Sequence, residues 1–315
     1  MTDALRPYRF GLQLVAGDPQ DVVAAAREAE EIGFDVILVG DHLDEGWAPL
    51  PLLAQLAPST DRIRLGTLVL NNDLRHPVML AQEVTTLDHL SGGRMELGLG
   101  AGHTPQEYAA LGRAIDPPGL RKARLAESVE VLRRLLDGDR VELDGTQYAI
   151  GGAKVRRSLQ KRLPILVAGN GRRLLAHAAQ HADIIGLSGL GRTLEDGHHH
   201  EARFAPARLD AQVAGIRAAA GDRRSQLELS VMIQIVQITD DRQGAATQLA
   251  ERIPGLTVED ALATPFLAIG APAEIAAQLG AARERWGISY FVTRDAQAFA
   301  PVIGRLRTTG SGATT

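Results

Sequence analysis

The sequence predicts a (β/α)8 barrel, and three observations carry that prediction. Short β-rich apolar runs alternate with longer stretches of helical period along nearly the whole chain. Eight such strand–helix units fit within 315 residues, close to what a barrel of this kind takes with insertions. The open doubly wound alternative lacks its glycine fingerprint after the first strand, where residues 15–20 read VAGDPQ.

The elements follow in order. Residues 9–15 (RFGLQLV) form the first strand, and Asp18 caps a helix whose apolar positions Val22, Ala25, Ala26, Ala29 and Ile32 share one face. Gly33 ends it. Further strands fall at 34–40, 62–70, 94–100, 164–168, 183–188, 227–238 and 288–293. Helices are expected near 50–58, 77–90, 120–137, 171–182, 205–220, 241–252, 272–286 and 296–306.

Three segments interrupt this beat. Asp144-Gly145 between alternating residues marks a hairpin at 140–150. Polar residues 189–204 and the stretch 253–271 are insertions on the C-terminal side of the barrel, where they would act as lids. Phe204, Leu256 and Phe266 within them hint at a medium-sized hydrophobic substrate. The prediction is therefore one domain over 1–307 and a disordered tail over 308–315.

Composition narrows the function. Net charge −4 leaves no cationic surface for nucleic acid, and the absence of cysteine excludes thiol catalysis and thiolate zinc sites. The start MTDALRPYRF lacks signal-peptide regions, and no apolar run is long enough for a membrane span. A cytoplasmic protein acting on a small molecule, away from membranes, is expected.

Chemistry in such a barrel sits at the C-terminal strand ends. The second strand ends in Gly40-Asp41-His42, an imidazole beside a carboxylate, suited to proton or hydride-coupled chemistry. The alternative is an Asp41 that caps the next turn and a solvated His42. The fourth strand closes with Gly98-Leu99-Gly100-Ala101-Gly102-His103, small enough for a flat ligand to approach, or simply a tight turn. Gly169-Asn170-Gly171 opens a helix whose N–H groups favour a phosphate, with Arg172 and Arg173 adjacent. Pro77 suits a first helical turn, so His76 holds the loop before it; Asp88 and Arg94 read as structural. Arg121, Lys122 and Arg124 read as a solvated helix face. His198-His199-His200 cannot all face one ion, so no metal is expected.

Together these segments resemble the luciferase-like flavin and deazaflavin oxidoreductase superfamily. The most specific stretch is Gly66-Thr67, Arg75-His76-Pro77, Leu80-Ala81-Gln82, Thr86-Leu87-Asp88 and Leu90-Ser91-Gly92-Gly93-Arg94, ending Gly98 to Gly102. Within it the chain is most similar to the branch that uses coenzyme F420. The resemblance implies a barrel with the cofactor across its strand ends, Asp41 and His42 beside the reactive ring, and His42 as proton donor or acceptor.

It also implies a cis peptide bulge at Leu68-Val69 behind the ring, flanked by Thr67 and Asn71. Gly100, Ala101, Gly102 and His103 would flank the ring or ribityl chain, and Val167, Ala168, Gly169, Asn170, Gly171 and Arg172 would hold the phosphate. Gln13, Trp47 and Glu107 would line the substrate pocket. Sugar-phosphate-oxidising relatives carry a catalytic glutamate where this chain has His103, which argues against that substrate and leaves His103 or Glu107 as a second proton group. Arg75, Arg113, Arg172 and Arg173 are candidates for the acidic tail of F420.

The expected reaction is hydride transfer between F420 and an activated C=C or C=N bond, in a homodimer. The rivals are an FMN-dependent two-component monooxygenase on the same fold and a flavin-binding barrel without turnover.

Overall fold

The computed structural model describes residues 5–14, 17–43, 46–194 and 200–310. Eight parallel barrel strands are β1 Arg9–Leu14, β2 Val36–Val39, β3 Arg64–Thr67, β4 Met95–Gly100, β5 Ile165–Ala168, β6 Ile184–Leu187, β7 Glu228–Met232 and β8 Ile288–Thr293. They pair in the order β3-β2-β1-β8-β7-β6-β5-β4, and β3 meets β4 through Leu65↔Met95 and Gly66↔Glu96, which closes the sheet. The predicted barrel is the observed one.

Alternation along each strand sorts side chains into two layers. Val36, Leu38, Leu166, Ile184, Met232, Tyr290 and Val292 form an apolar cluster inside the barrel. Residues of opposite parity, such as Phe10, Ile37, Leu65, Leu97, Ile185 and Phe291, pack outward against the helices. Gly11 is required inside, because a Cβ there would stand 2.9 Å from Leu38 and 3.0 Å from Tyr290.

The helices start and stop on local signals. Asp18 accepts the Gln20 N–H at 2.9 Å to cap Pro19–Ile32, and Gly33 closes it at φ 103°. Proline opens Pro49–Leu56, Pro77–Leu90, Pro118–Leu136, Pro206–Ala220 and Pro272–Trp286, where its missing N–H costs nothing. His76 caps Pro77–Leu90 by accepting the Val78 N–H, as a loop-holding residue should. Asp88 and Arg94 are structural too: buried Asp88 accepts from Ser158, Leu159 and Gln160, and Arg94 donates to the carbonyls of Ala57, Thr60 and Ile63. No helix among the described residues is long and apolar enough to cross a membrane.

The hairpin marked by Asp144-Gly145 is present, pairing Val141–Asp144 with Ala149–Ala153. Four expectations need correction. The run 227–238 is two strands: the chain leaves the barrel after Met232, where the Gln234 N–H turns to the Phe266 carbonyl and its side chain to the Ser188 carbonyl. Ile235–Ile238 then pairs in parallel with Leu267–Gly270, a strand inside the supposed lid 253–271. That segment is packed, not open, since Leu256, Ala261 and Phe266 are buried.

Phe204 and Phe266 pack on one another with ring centroids 5.8 Å apart, so they and Leu256 are core and not a substrate wall. The last helix, Ala296–Gly310, runs past Thr308, whose hydroxyl bonds the Arg305 carbonyl; the expected tail therefore does not begin there, and 311–315 lie outside the described residues. In the 189–204 insertion, Leu190–Thr193 pairs with His200–Ala202, and the predicted His198 and His199 lie outside the described residues.

Candidate active site at the barrel mouth

The C-terminal end of β2 delivers Gly40-Asp41-His42 to the mouth. His42 Nδ1 lies 2.7 Å from Glu107 Oε1, on the short helix Pro105–Ala110. Glu107 is buried, its side chain 4% exposed, whereas that of His42 is 40% exposed. The contact with Glu107 fixes the orientation of the ring and turns its other nitrogen, Nε2, away from that carboxylate.

His103 follows β4 and stands edge-on to His42, ring centroids 5.7 Å apart. His200, from the insertion hairpin, lies 4.8 Å from His103. The His103 ring has an edge open to solvent, yet the protein crowding the rest of it disfavours its cation. His200, His42 and Arg121 nearby add to this, and its pKa falls to about 4. At neutral pH His103 is an uncharged donor–acceptor.

Asp41 is differently employed. Both of its oxygens accept from Arg75, at 2.5 and 3.0 Å, and Oδ2 also accepts the Asn71 N–H at 2.8 Å. Its carboxylate anchors the chain after β3, and the same bond draws Arg75 away from the rim role suggested for it. Arg113 donates to the Asp73 carbonyl at 3.1 Å and remains exposed.

Between β3 and the short strand Leu70–Asn71, the Leu68–Val69 peptide is cis, at the expected position. Gln13, pointing inward from β1, donates to the Leu68 carbonyl at 2.7 Å and accepts from Arg294 at 2.9 Å. The glycine run of β4 has its explanation here. A Cβ on Gly98 would strike the Thr67 carbonyl, one on Gly100 would stand 2.7 Å from Val69 Cγ2, and one on Gly102 would strike Asn71 and Tyr108. These glycines primarily make room for the bulged strand, so the expectation of direct ligand approach holds at most for their outer faces. Thr67 and Asn71 are buried; the Thr67 hydroxyl is spent between the Gly98 N–H and carbonyl.

At the expected phosphate end, Val167 lies inside the ladder between β4 and β6, and the Gly169 N–H already donates to the Gly186 carbonyl at 3.3 Å. The Asn170 amide bonds the Leu190 carbonyl. What remains is the start of helix Arg172–His181, where Gly171 is the N-cap and supplies no side-chain cap. Arg172 and Arg173 are exposed beside it.

Lys122 is not on a solvated face: its Nζ lies 3.0 Å from where a Gly171 Cβ would stand, an ammonium at a helix N-terminus. Arg121 is buried and donates to the carbonyls of Asp116, Ala101 and Gly102, and Arg124 pairs with Asp73 and Asp116, so that face is not solvated either. No local pattern marks Lys122, and the run His198-His199-His200 gives no sign of where His200 sits, because both residues reach the mouth by tertiary contact. Trp47 is 49% exposed, with its ring N–H donating to the Gly17 carbonyl at 2.6 Å.

Comparison with known proteins agrees with the fold. The pattern of the family described as luciferase-like monooxygenase matches residues 4–290. An F420-dependent glucose-6-phosphate dehydrogenase of Beutenbergia cavernae is 38% identical over 185 residues, 56% of this chain and 55% of the relative. A 4-hydroxyprotoasukamycin monooxygenase of Streptomyces nodosus subsp. asukaensis is 44% identical over 114 residues, 35% of this chain and 30% of the relative. The matched stretch thus spans about half the first relative's length and less of the second. The coenzyme F420-dependent tetrahydromethanopterin reductase of Methanopyrus kandleri has the same fold, with TM-score 0.73 at 20% identity over 95% of this chain and 98% of that one.

Proposed function

The chain belongs to the luciferase-like monooxygenase family, and on that premise we propose that it is an F420-dependent oxidoreductase with His42 as its proton donor and acceptor. The observation that carries the reading is the 2.7 Å bond between His42 and buried Glu107, beside the bulge at Leu68–Val69. Its curated relatives include several named for F420-dependent dehydrogenation.

The residues present suit such a cofactor. An uncapped helix start with the Lys122 ammonium beside it matches a phosphate, and part-exposed Ala101, Gly102, Ala168 and Gly169 leave backbone accessible along the rim. Bound F420 carries hydride and lacks the ring nitrogen that lets flavins form oxygen adducts. The chain's own part is proton management. Glu107 fixes the His42 tautomer, and Nε2 gives its proton to the substrate atom that does not receive hydride, or takes it back in the oxidative direction. Neutral His103 supplies a second hydrogen bond to a carbonyl, imine or hydroxyl. Gln13 and Trp47 border the same mouth, and Asp41 acts by holding Arg75 and Asn71 in place.

With His103 where sugar-phosphate-oxidising relatives have glutamate, an activated C=C or C=N compound is the substrate class proposed. The test mixes purified protein with F420 and with FMN and measures both dissociation constants, then follows F420 oxidation with unsaturated carbonyl and imine substrates and F420 reduction with glucose 6-phosphate. F420 binding with unsaturated-substrate turnover is expected. FMN binding without F420 binding reassigns the chain to the two-component monooxygenases, and cofactor binding without any turnover reassigns it to a carrier.

The same reading makes the enzyme a cytoplasmic homodimer that binds no nucleic acid. Supporting observations are its net charge of −4 and the exposed Met79 and Leu90 on one helix flank. Sedimentation of the purified protein checks the dimer.

A further inference from the structure

Two neighbouring helices on the outside of the barrel, Pro118–Leu136 and Arg172–His181, bring three ligand-type side chains together. His177 and His181 stand four residues apart, which places both rings over one helix face. The rings stack with centroids 4.4 Å apart and an interplanar angle of 22°. Glu130 reaches across from the other helix. Its Oε1 lies 2.8 Å from His177 Nε2 and 3.9 Å from His181 Nε2. One ligand atom from each of the three residues falls within 4.8 Å of the others.

The hydrogen bond to Glu130 accounts for His177. It does not account for His181, whose Nε2 points at the same oxygen from beyond hydrogen-bond distance. We propose that Glu130, His177 and His181 form a binding site for a divalent first-row metal of the zinc class, separate from the barrel mouth. Two imidazoles and a carboxylate are a ligand set zinc accepts, and a water fills the fourth tetrahedral position. The side chains are partly open to solvent, 22% for His177, 34% for His181 and 51% for Glu130, so an ion has a path in. To share one centre the three atoms need only close up from within 4.8 Å of one another. The bound ion cross-links the helix before β5 to the helix after it, and mass action then makes the folded state more stable as metal rises. Arg223, which donates to the Ala179 and Ala182 carbonyls close to His181, opposes positive charge there and keeps the affinity moderate.

The test is calorimetric titration of tag-free, chelator-treated protein with zinc sulfate, with a thermal unfolding scan of each sample. One zinc per chain is expected, with a rise in Tm. Loss of an outer partner of a metal ligand already costs roughly 10–100-fold in affinity, so His181→Ala and Glu130→Gln should each weaken binding at least about tenfold and shrink the zinc-dependent Tm rise at a fixed zinc concentration. His181→Gln repeats the measurement if the alanine variant unfolds. Absence of zinc uptake overturns the proposal. So does uptake of equal affinity in all these variants, which would put the ion elsewhere, for instance at His103 and His200.

Discussion

The two ends of this barrel use the same residue types to opposite effect. At the N-terminal end, Arg9 pairs with Glu96 and Glu228, Arg64 shares Glu96, and Arg9 stacks on Tyr290 with 4.5 Å to the ring centroid. Burial raises the Glu228 pKa, while the two carboxylates outweigh burial and raise that of Arg9. Charge there is closed on itself. At the C-terminal end, Asp41 and Arg75 are satisfied in the same way, but His42, His103 and His200 sit in a row, and His103 is exposed. The difference teaches where the fold spends its polar groups: paired charge plugs the bottom, and imidazoles able to change protonation face the opening.

The sharpest way to break this comparison is to unpair the bottom. Glu96→Ala leaves Arg9 and Arg64 facing each other beneath the apolar cluster, and stability should drop by about 3 kcal/mol, near the lower bound for a broken buried pair because both arginines keep some water contact. Urea unfolding measures it, and a loss under about 1 kcal/mol would mean the plug is not structural. At the top, His42→Gln, which keeps an amide donor for buried Glu107, should cut turnover roughly 10²-fold while leaving the urea midpoint and cofactor affinity in place. Unchanged turnover removes His42 from the mechanism.

A smaller effect is expected where the helix start meets Lys122. Lys122→Ala should weaken cofactor binding by roughly tenfold, about 1.4 kcal/mol, with kcat at saturation preserved. A fall in kcat with unaltered affinity would contradict the phosphate role.

The smallest effect concerns pH. His103 has a folded pKa of about 4, below the 6.5 of a free imidazole, so between these values the unfolded chain binds a proton that the fold refuses. The contribution of His103 to stability is whole above about pH 6.5 and is lost as pH falls toward 4. Its open edge lets solvent screen the effect. Comparing urea midpoints of the wild type and His103→Gln across pH 4–7 should show a shallower slope in the variant, and parallel slopes would refute the assignment.

Strand and helix positions were legible because periodicity and caps are local signals; the helix at 77–90 matches its predicted bounds. The Leu68–Val69 bulge was legible only through resemblance, since no residue at 66–71 announces it. The run 227–238 misled because its β-rich pattern is uninterrupted, while the bend at Gln234 is set by distant partners, Ser188 and Phe266. Phe204 and Phe266 looked like a ligand wall for the same reason: an apolar residue in a polar insertion reveals nothing of what covers it. At the site, His42 and Glu107 were each named from sequence, but their 2.7 Å bond spans 65 residues and belongs to the fold.

His200 stands against the His103 ring, with centroids 4.8 Å apart. The residue that crowds His103 comes from an insertion hairpin, not from a barrel strand. Exchanging that hairpin for another of equal span is therefore a way to redesign the acidity of the opening as an interchangeable part, leaving the scaffold's framework of strands untouched.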